Sequence, residues 1–273
     1  MKKRICLITG CSGGIGKDTA KKLAQLDYHI IMLVRKGEKS LNAYQEVLSA
    51  STIQNVKMFY TDLSSQNSIK KVVEEIKKEY DHIDLLINNA GVIKRKLDYS
   101  EEGIEMTLAV NYFAPFLLAN LLVPLLKSSS KARVINLSSE LYKKGEPILE
   151  TDYTAKKFDG NKAYANSKLL INLFTYELSK RLNEDGITVN CLHPGVIGTD
   201  AFREYPKIFS KMLNLFLSKP EEGANNVVYL STSNEFDKIT GKYFNKTTEN
   251  LVKIINDELS EKVWNETEEI LKI

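Results

Sequence analysis

Short runs of β-branched and other apolar residues alternate with longer amphipathic stretches along this chain. This alternation constrains the fold more than any other feature, because repeated strand, helix, strand units build a parallel sheet covered by helices. The predicted strands span residues 4–8, 29–34, 56–60, 83–87, 133–137 and 188–192. The sequence therefore predicts an α/β fold, a doubly wound parallel β-sheet with helices on both faces.

Length and charge narrow the class of protein further. A chain of 273 residues can bury one large core, and no repeat or linker marks a boundary, so we predict a single domain over residues 1–273. The 38 Lys and Arg residues nearly balance the 35 Asp and Glu residues, leaving a net charge of +3 without a basic block. This pattern argues against a nucleic-acid partner.

The cysteines and the apolar segments bear on the compartment. Cys6, Cys11 and Cys191 are odd in number and lack CxxC spacing, so neither a disulfide framework nor a zinc site is predicted. The apolar run over residues 5–8 is too short for a signal peptide. Residues 112–126 form the longest apolar run, which prolines interrupt, and it predicts a buried helix. We expect a cytoplasmic protein.

A glycine-rich turn, TGCSGGIGK over residues 9–17, follows the first predicted strand and opens a helix near Gly14. Glycines let a backbone approach a pyrophosphate closely, and a helix N-terminus offers free N–H groups and a partial positive charge. The spacing is TGxxxGxG rather than GxGxxG. The alternative, a tight connection without a ligand, is less favoured by this strand–turn–helix context. The turn therefore predicts a dinucleotide site.

The second predicted strand ends at Val34 and is followed by Arg35 and Lys36. An NAD site usually places an acidic residue there for the ribose 2′-hydroxyl, whereas an arginine accommodates a 2′-phosphate. The first acid is Glu38. The sequence therefore favours NADP(H) over NAD(H), against the alternative that these are ordinary solvated loop charges.

Polar residues also follow the third and fourth strands. Asp62 and Leu63 come after the third, and the run Asn-Asn-Ala-Gly over residues 88–91 comes after the fourth. In a doubly wound sheet these positions lie where a cofactor binds. Turn and helix capping is the alternative role of such Asp and Asn side chains.

Ser139 and His193 follow the fifth and sixth strands. A triad of Ser139, His193 and Asp200 is disfavoured, because no nucleophile-elbow motif surrounds any serine. His193 is interpreted as a structural residue before the Pro194–Gly195 turn. The three histidines form no metal-ligand cluster, so no metal site is predicted.

Tyr164 and Lys168 lie four residues apart in a predicted helix, on one face and about one turn from each other. A phenol with a pKa of about 10 is a poor base at neutral pH, and a neighbouring ammonium favours its phenolate. The pair thus predicts general acid–base chemistry. The pattern alone is more often a solvated helix face, so the prediction depends on the motifs around it.

Taken in order, these motifs resemble the short-chain dehydrogenase/reductase family over nearly the whole chain. The segments that carry the resemblance are Thr9–Gly16, residues 88–91, Asn111, Ser139, Tyr164-xxx-Lys168 and Pro194–Gly195. Within the family the chain most resembles the retinol dehydrogenase branch, with its relatives the WW-domain oxidoreductase and the protochlorophyllide reductase. The resemblance implies a single Rossmann-fold domain that binds a nicotinamide cofactor.

The resemblance also implies roles for individual residues. Tyr164 would protonate the carbonyl oxygen during reduction and act as the base in reverse. Lys168 would lower the pKa of Tyr164 and hold the nicotinamide ribose, Ser139 would donate a hydrogen bond to the substrate oxygen, and Asn111 would support a proton-relay water. The implied cofactor-binding residues are Gly10, Ser12, Gly13, Gly14, Ile15, Gly16, Arg35, Asp62, Leu63, Asn89, Ala90, Gly91, Tyr164, Lys168, Pro194, Gly195, Val196 and Thr199.

Family members differ most after the Pro-Gly turn, here a variable segment at about 196–219. Residues 206–219 predict a helix with a wide apolar face, which we interpret as a lid over an apolar aldehyde or ketone. A core helix, or a helix resting on a membrane surface or a partner, is the alternative. A second amphipathic helix is predicted at about 251–271, docked on the domain with Leu251, Ile254 and Val263 inward.

The predicted function is an NADP(H)-dependent oxidoreductase that interconverts a small-molecule carbonyl and an alcohol. A catalytically silent NADP(H)-binding regulatory protein is the alternative, which the combined presence of Asn111, Ser139, Tyr164 and Lys168 disfavours. A sugar-nucleotide epimerase would have a longer chain and another glycine spacing. The family resemblance implies a homodimer through helices around 112–126 and 164–185, and membrane association is not indicated because no N-terminal apolar anchor is seen.

Overall fold

The computed structural model describes residues 3–149, 158–195 and 219–273. Val196, Thr199 and the lid predicted at about 196–219, apart from Lys219, lie outside the described residues.

The described residues form one eight-stranded sheet in the order β3-β2-β1-β4-β5-β6-β7-β8, parallel throughout except for the antiparallel pair β7 and β8. The strands are β1 (Arg4–Thr9), β2 (Tyr28–Val34), β3 (Val56–Tyr60), β4 (Leu85–Asn88), β5 (Arg133–Leu137), β6 (Thr188–His193), β7 (Tyr243–Asn245) and β8 (Thr248–Asn250). All six predicted strands are confirmed to within two residues. The strands β7 and β8 were not predicted, because three residues carry too little pattern to indicate a strand.

The helices pack in two layers, one on each face of the sheet. They are α1 (Gly14–Gln25), α2 (Glu38–Ala50), α3 (Gln66–Glu79), α4 (Met106–Leu108), α5 (Ala114–Lys127), α6 (Gly160–Arg181), α7 (Pro220–Thr232) and α8 (Asp257–Leu271). A π-helical turn, Ala109–Phe113, joins α4 to α5. One buried apolar cluster includes residues of α3, α5, α6 and α8, and the other includes residues of α1, α2 and α7. The predicted single-domain, doubly wound α/β fold is confirmed.

The long apolar run is a helix of the core. Among the described residues, Met106–Lys127 is the one stretch long and apolar enough to cross a membrane, and 78% of its most apolar window is buried inside the fold. Buried core helices pass the same test of length and composition. Phe116 and Leu122 are fully buried, so the prediction of a buried helix is confirmed.

The C-terminal helix α8 begins at Asp257, six residues later than the sequence pattern predicted. The side chain of Asn256 accepts a hydrogen bond from the backbone N–H of Leu259 (2.9 Å), so it caps the helix and sets its start. The prediction that Leu251 and Ile254 point inward is wrong, because they are 83% and 44% exposed.

Helix α8 covers the outer surface of α5 and α6. The ring of Trp264 packs 4.5 Å from the ring of Phe116, and the Tyr112 hydroxyl forms a 2.7 Å hydrogen bond with the hydroxyl of Thr267. Arg181 stacks its guanidinium 4.2 Å from the Trp264 ring. Helices α5 and α6 are the ones through which the family resemblance implies that two copies of the chain pair. The homodimer remains a prediction.

Candidate active site

The residues that follow the parallel strands meet at one edge of the sheet. Gly10 follows β1, Arg35 follows β2, Asn89 follows β4, Ser139 lies just beyond β5, and Pro194 follows β6. Parallel strands in a doubly wound fold place these ends together at the crevice where ligands bind. The structure therefore gathers the sequence-predicted residues from distant parts of the chain.

The glycine-rich turn packs against the residues after β4, with no room for a side chain at Gly10 or Gly16. A Cβ atom at Gly10 would lie 2.7 Å from Cα of Ala90, and one at Gly16 would lie 2.3 Å from Nδ2 of Asn89. Gly10 also adopts a φ of +67°, which favours glycine. The glycines thus let two strand ends approach closely, and the turn is more than a flexible connection.

Hydrogen bonds from Asn89 and Thr9 fix the same junction. The Asn89 side-chain amide donates to the carbonyl of Thr9 (2.8 Å), and the Thr9 hydroxyl accepts from the backbone N–H groups of Asn89 and Ala90 (both 3.0 Å). Asn89 therefore holds the turn in place. Asn89 thus both stabilises the turn, which is the alternative role, and lies at the crevice where a cofactor is predicted to bind.

The N-terminus of α1 offers free donors. Its N-cap is Gly13, which has no side chain to cap the helix, and the first turn holds no acidic residue. The first N–H groups of such a helix carry a partial positive charge suited to a phosphate. Together with the close backbone approach at Gly10 and Gly16, this donor set fits the pyrophosphate of a dinucleotide.

A cleft of about 580 Å³ opens beside the turn. Ser12, Gly14, Lys17 and Asn42 are among its lining residues. Arg35 is exposed at the first position after β2, where its carbonyl accepts a 2.6 Å hydrogen bond from the Ser40 hydroxyl. A guanidinium at this place can receive a second phosphate near the adenosine end of a dinucleotide.

Asp62 and Leu63 are engaged with their own surroundings. The Asp62 carboxylate accepts hydrogen bonds from the backbone N–H (2.9 Å) and the hydroxyl (2.7 Å) of Ser64, which is the turn chemistry considered as the alternative. Leu63 packs against the apolar core and lines a small cavity with Leu117 and Leu271. Neither contact tests the predicted role in cofactor binding.

Asn111 lies in the π-helical turn and is 1% exposed. Its side chain accepts from the N–H of Val92 (2.8 Å) and donates to the carbonyl of Val92 (2.9 Å) and the hydroxyl of Ser167 (3.1 Å). This amide thus ties the chain after β4 to α6 beside Lys168. π-helical turns are rare and frequent at functional sites.

Ser139, Tyr164 and Lys168 converge as predicted. Helix α6 places Lys168 one turn after Tyr164, with Nζ 5.5 Å from the centre of the phenol ring. The Ser139 side chain lies near enough to Tyr164 to lower the pKa of its hydroxyl. Lys168 is 4% exposed, and its ammonium donates to the carbonyl of Leu137 (2.7 Å), the last residue of β5.

Burial sets the ionisation of this pair. It raises the pKa of Tyr164 to about 12, and the Ser139 side chain lowers it only in part. Burial also lowers the pKa of Lys168 to about 8. Desolvation is the largest cause of the shift at Tyr164, and the Lys168 ammonium is directed at the Leu137 carbonyl. Tyr164 therefore carries its proton at neutral pH. The lowering of the Tyr164 pKa by Lys168 remains a prediction.

Two glycines that the sequence reasoning missed seat the start of α6. A Cβ atom at Gly160 would lie 1.8 Å from the carbonyl oxygen of Lys94, and one at Gly145 would lie 2.4 Å from that of Ala165. Neighbouring segments therefore pack closely against the first two turns of α6, which carry Tyr164. Only an isolated glycine in each segment could have signalled this.

The Pro194–Gly195 turn after β6 follows a buried histidine. His193 is 7% exposed, and burial lowers its pKa. The carbonyl of Pro194 accepts a hydrogen bond from the Asn226 side chain (3.1 Å), and Gly195 has a φ of +112°. In the part of the chain that the structure describes, no group of three His, Cys, Asp or Glu side chains could hold a metal ion.

Known relatives align with this sequence over most of its length. The family profile of the short chain dehydrogenases matches residues 4–207. Retinol dehydrogenase 13 of Mus musculus is 35% identical over 272 residues, covering 96% of this chain and 81% of its own length. Polyprenol dehydrogenase of Homo sapiens is 32% identical over 276 residues, covering 97% of this chain and 84% of its own.

Solved structures share the fold. A protein from Mycobacterium paratuberculosis superposes with a TM-score of 0.77 at 24% identity, covering 99% of this chain and 94% of its own. A short chain dehydrogenase from Shigella flexneri, complexed with NADP, gives 0.72 at 23% identity, covering 91% and 98%. With the family profile and the long matches to retinol dehydrogenases, the chain belongs to the short-chain dehydrogenase/reductase family of oxidoreductases, in its retinol dehydrogenase-like branch.

Proposed function

We propose that this protein is an NADP(H)-dependent oxidoreductase that interconverts an apolar aldehyde or ketone and the corresponding alcohol, with Tyr164 as the general acid and base. The observation that carries the proposal is the convergence of Ser139, Tyr164, Lys168 and Asn111 beside the glycine-rich turn. A protein that only bound the cofactor would have no use for a buried proton donor and an ammonium in contact with its ring.

In reduction, the bound nicotinamide cofactor would supply the hydride. The Tyr164 hydroxyl donates its proton to the carbonyl oxygen, and its raised pKa keeps that proton available at neutral pH. The Ser139 hydroxyl donates a second hydrogen bond to the same oxygen, and the Lys168 ammonium stabilises the phenolate that forms. Asn111 holds the chain after β4 against α6 and so fixes the distance between these groups.

The preference for NADP(H) is inferred from the end of β2. Arg35 is exposed there, and no acidic residue lies between the end of β2 and Glu38, the first residue of α2. A guanidinium attracts a 2′-phosphate, whereas an acid would repel it and bind the 2′-hydroxyl instead. Each cofactor-binding residue given above, including Val196 and Thr199, belongs to this proposal.

The apolar nature of the substrate is inferred from the sequence of residues 206–219 and from the names of the relatives. We retain the lid as the proposed role of that segment and the cytoplasm as the proposed compartment. A lid predicts that Phe209→Ala and Met212→Ala raise KM for long apolar carbonyls far more than for short ones. Equal effects on both would contradict it.

The first test titrates the purified protein with NADPH and NADH by fluorescence, then follows NADPH consumption against aldehydes and ketones of increasing chain length. Tyr164→Phe removes the proton donor and should lower kcat by at least about a hundredfold while leaving NADPH affinity within about twofold. Tyr176→Phe is the matched control, because Tyr176 lies on the same helix and its hydroxyl donates a hydrogen bond to the Asp257 carboxylate (3.2 Å) at the surface.

The results separate the two candidate functions. Turnover that only Tyr164→Phe abolishes would establish the reductase. Tight NADPH binding without turnover of any carbonyl would favour the silent regulatory protein. No binding of either dinucleotide would contradict both.

A further inference from the structure

Glu140 directly follows Ser139 and opens a short 3₁₀ turn, Glu140–Lys144. Its carboxylate accepts a 2.7 Å hydrogen bond from the Tyr243 hydroxyl and a 3.3 Å hydrogen bond from the Asn245 side-chain amide. Both donors belong to β7, about a hundred residues further along the chain. This one side chain therefore joins the turn after the catalytic serine to the far end of the sheet.

The turn itself is organised around Ser139. The Ser139 hydroxyl accepts from the N–H of Leu141 (3.3 Å), and its carbonyl accepts from the N–H of Tyr142 (3.0 Å). The Tyr142 ring stands edge-on to the Tyr243 ring, with centres 4.9 Å apart. The orientation of the serine hydroxyl thus depends on the turn, and the turn has two contacts with Tyr243.

Strand β7 is a firm anchor for these contacts. Asn245 is paired in register with His193 of β6, and the Tyr243 side chain is buried, with 3% of its residue surface exposed. Partial burial raises the pKa of Glu140, but hydrogen bonds from Lys143 and Tyr243 outweigh it and hold that pKa below its ordinary value. The carboxylate is therefore ionised at neutral pH and accepts strong hydrogen bonds.

We propose that Glu140 is a positioning residue, whose carboxylate fastens the turn after Ser139 to Tyr243 of β7 so that the Ser139 hydroxyl stays directed at the substrate oxygen. This inference rests on the role of Ser139 in the proposed function. Displacement of a substrate-orienting group by about 1 Å can cost a hundredfold in rate, so a single hydrogen bond outside the site can control turnover.

The contact with Tyr243 matters more than the ion pair with Lys143. The Lys143 side chain is 58% exposed, and surface ion pairs between such groups contribute little. Without the Glu140 carboxylate, by contrast, the buried Tyr243 hydroxyl would lose its hydrogen-bond acceptor, which is costly inside the protein. Lys143→Ala therefore serves as a matched control, because it removes the ammonium that pairs with the same carboxylate.

The experiment combines kinetics with amide hydrogen exchange. Glu140→Ala should lower kcat by about tenfold or more with NADPH affinity unchanged, and should speed exchange in residues 139–145. Glu140→Gln keeps an acceptor oxygen for Tyr243 and should recover most of both. Tyr243→Phe should act as Glu140→Ala does, and the double variant should lose little more than either single one. Lys143→Ala should behave as wild type.

Unchanged exchange in Glu140→Ala would overturn the inference, and so would faster exchange with unchanged kcat. An additive double variant would show that Glu140 and Tyr243 act separately, which also overturns it. A wild-type protein without carbonyl turnover would instead contradict the proposed function. The exchange measurement would then still decide whether Glu140 orders the turn.

Discussion

The two sides of the active-site edge are built by different means. On the side of β1 and β4, glycines bring backbones together, and a Cβ atom at Gly10 or Gly16 would lie 2.7 Å or less from another atom. On the side of β5 and α6, buried polar groups meet, as the Lys168 ammonium does at the Leu137 carbonyl. The cofactor side is therefore sensitive to added volume, and the catalytic side to the loss of a donor or a charge.

The largest effect is expected from Gly16→Ala. Its methyl group would fall 2.3 Å from Nδ2 of Asn89 and 2.7 Å from the carbonyl of Gly10, so the junction must open. We expect destabilisation of about 1–3 kcal/mol and loss of measurable NADPH binding, checked by thermal unfolding and fluorescence titration.

Gly91→Ala is the matched control on the same side. Its Cβ atom would make only ordinary contacts, 3.5 Å from Oδ1 of Asn111 and 3.8 Å from Nζ of Lys168. It should unfold at the wild-type temperature but bind NADPH more weakly, because its methyl group faces the site. Equal loss of stability in both variants would break the comparison between protein contacts and cofactor contacts.

The next effect is expected from Lys168→Ala on the catalytic side. It should lower kcat by about a hundredfold, weaken NADPH binding and abolish the rise of the oxidation rate at alkaline pH. Lys180→Ala is the control, since Lys180 lies three turns further along α6 and pairs with Asp257 (2.8 Å) at the surface. An unchanged pH profile in Lys168→Ala would remove this lysine from the mechanism.

A smaller and more selective effect is expected from Arg35→Ala. Loss of a charge-assisted hydrogen bond to a 2′-phosphate corresponds to about ten- to a hundredfold weaker NADPH binding, with NADH binding unchanged. Lys36→Ala should change NADPH affinity far less. Equal losses in the two variants would indicate a diffuse basic surface rather than a phosphate site.

The last effect concerns stability and pH. Burial lowers the pKa of Lys168 from 10.5 to about 8, so between these values the unfolded chain binds a proton that the folded chain has lost. The free energy of unfolding therefore gains a contribution from Lys168 as pH rises through this window. Compared with Lys168→Met, the cofactor-free wild type should gain stability between about pH 7 and about pH 10 in urea unfolding. A constant difference would show that Lys168 is not desolvated.

Much of the fold and of the site follows from local patterns. The positions of the strands and the shared helix face of Tyr164 and Lys168 follow from the periods of strands and helices, which the sequence displays directly. The glycine-rich turn is recognised from the spacing of its own residues. The start of α8 and the orientation of Leu251 were predicted less well, because the amphipathic pattern begins before Asn256, whereas the side-chain cap of Asn256 sets the start of the helix. Gly145 and Gly160 escaped notice because their contacts join distant segments.

The sequence by itself determined the order of strands and helices, the residues at the ends of the strands and the family to which the chain belongs. These depend on the identity and spacing of nearby residues. Only the tertiary structure decided which groups are desolvated, and with that the raised pKa of Tyr164 and the carbonyl partner of Lys168. It also decided that β7 contacts Glu140. Burial and long-range contacts are properties of the packed chain, and no local pattern encodes them.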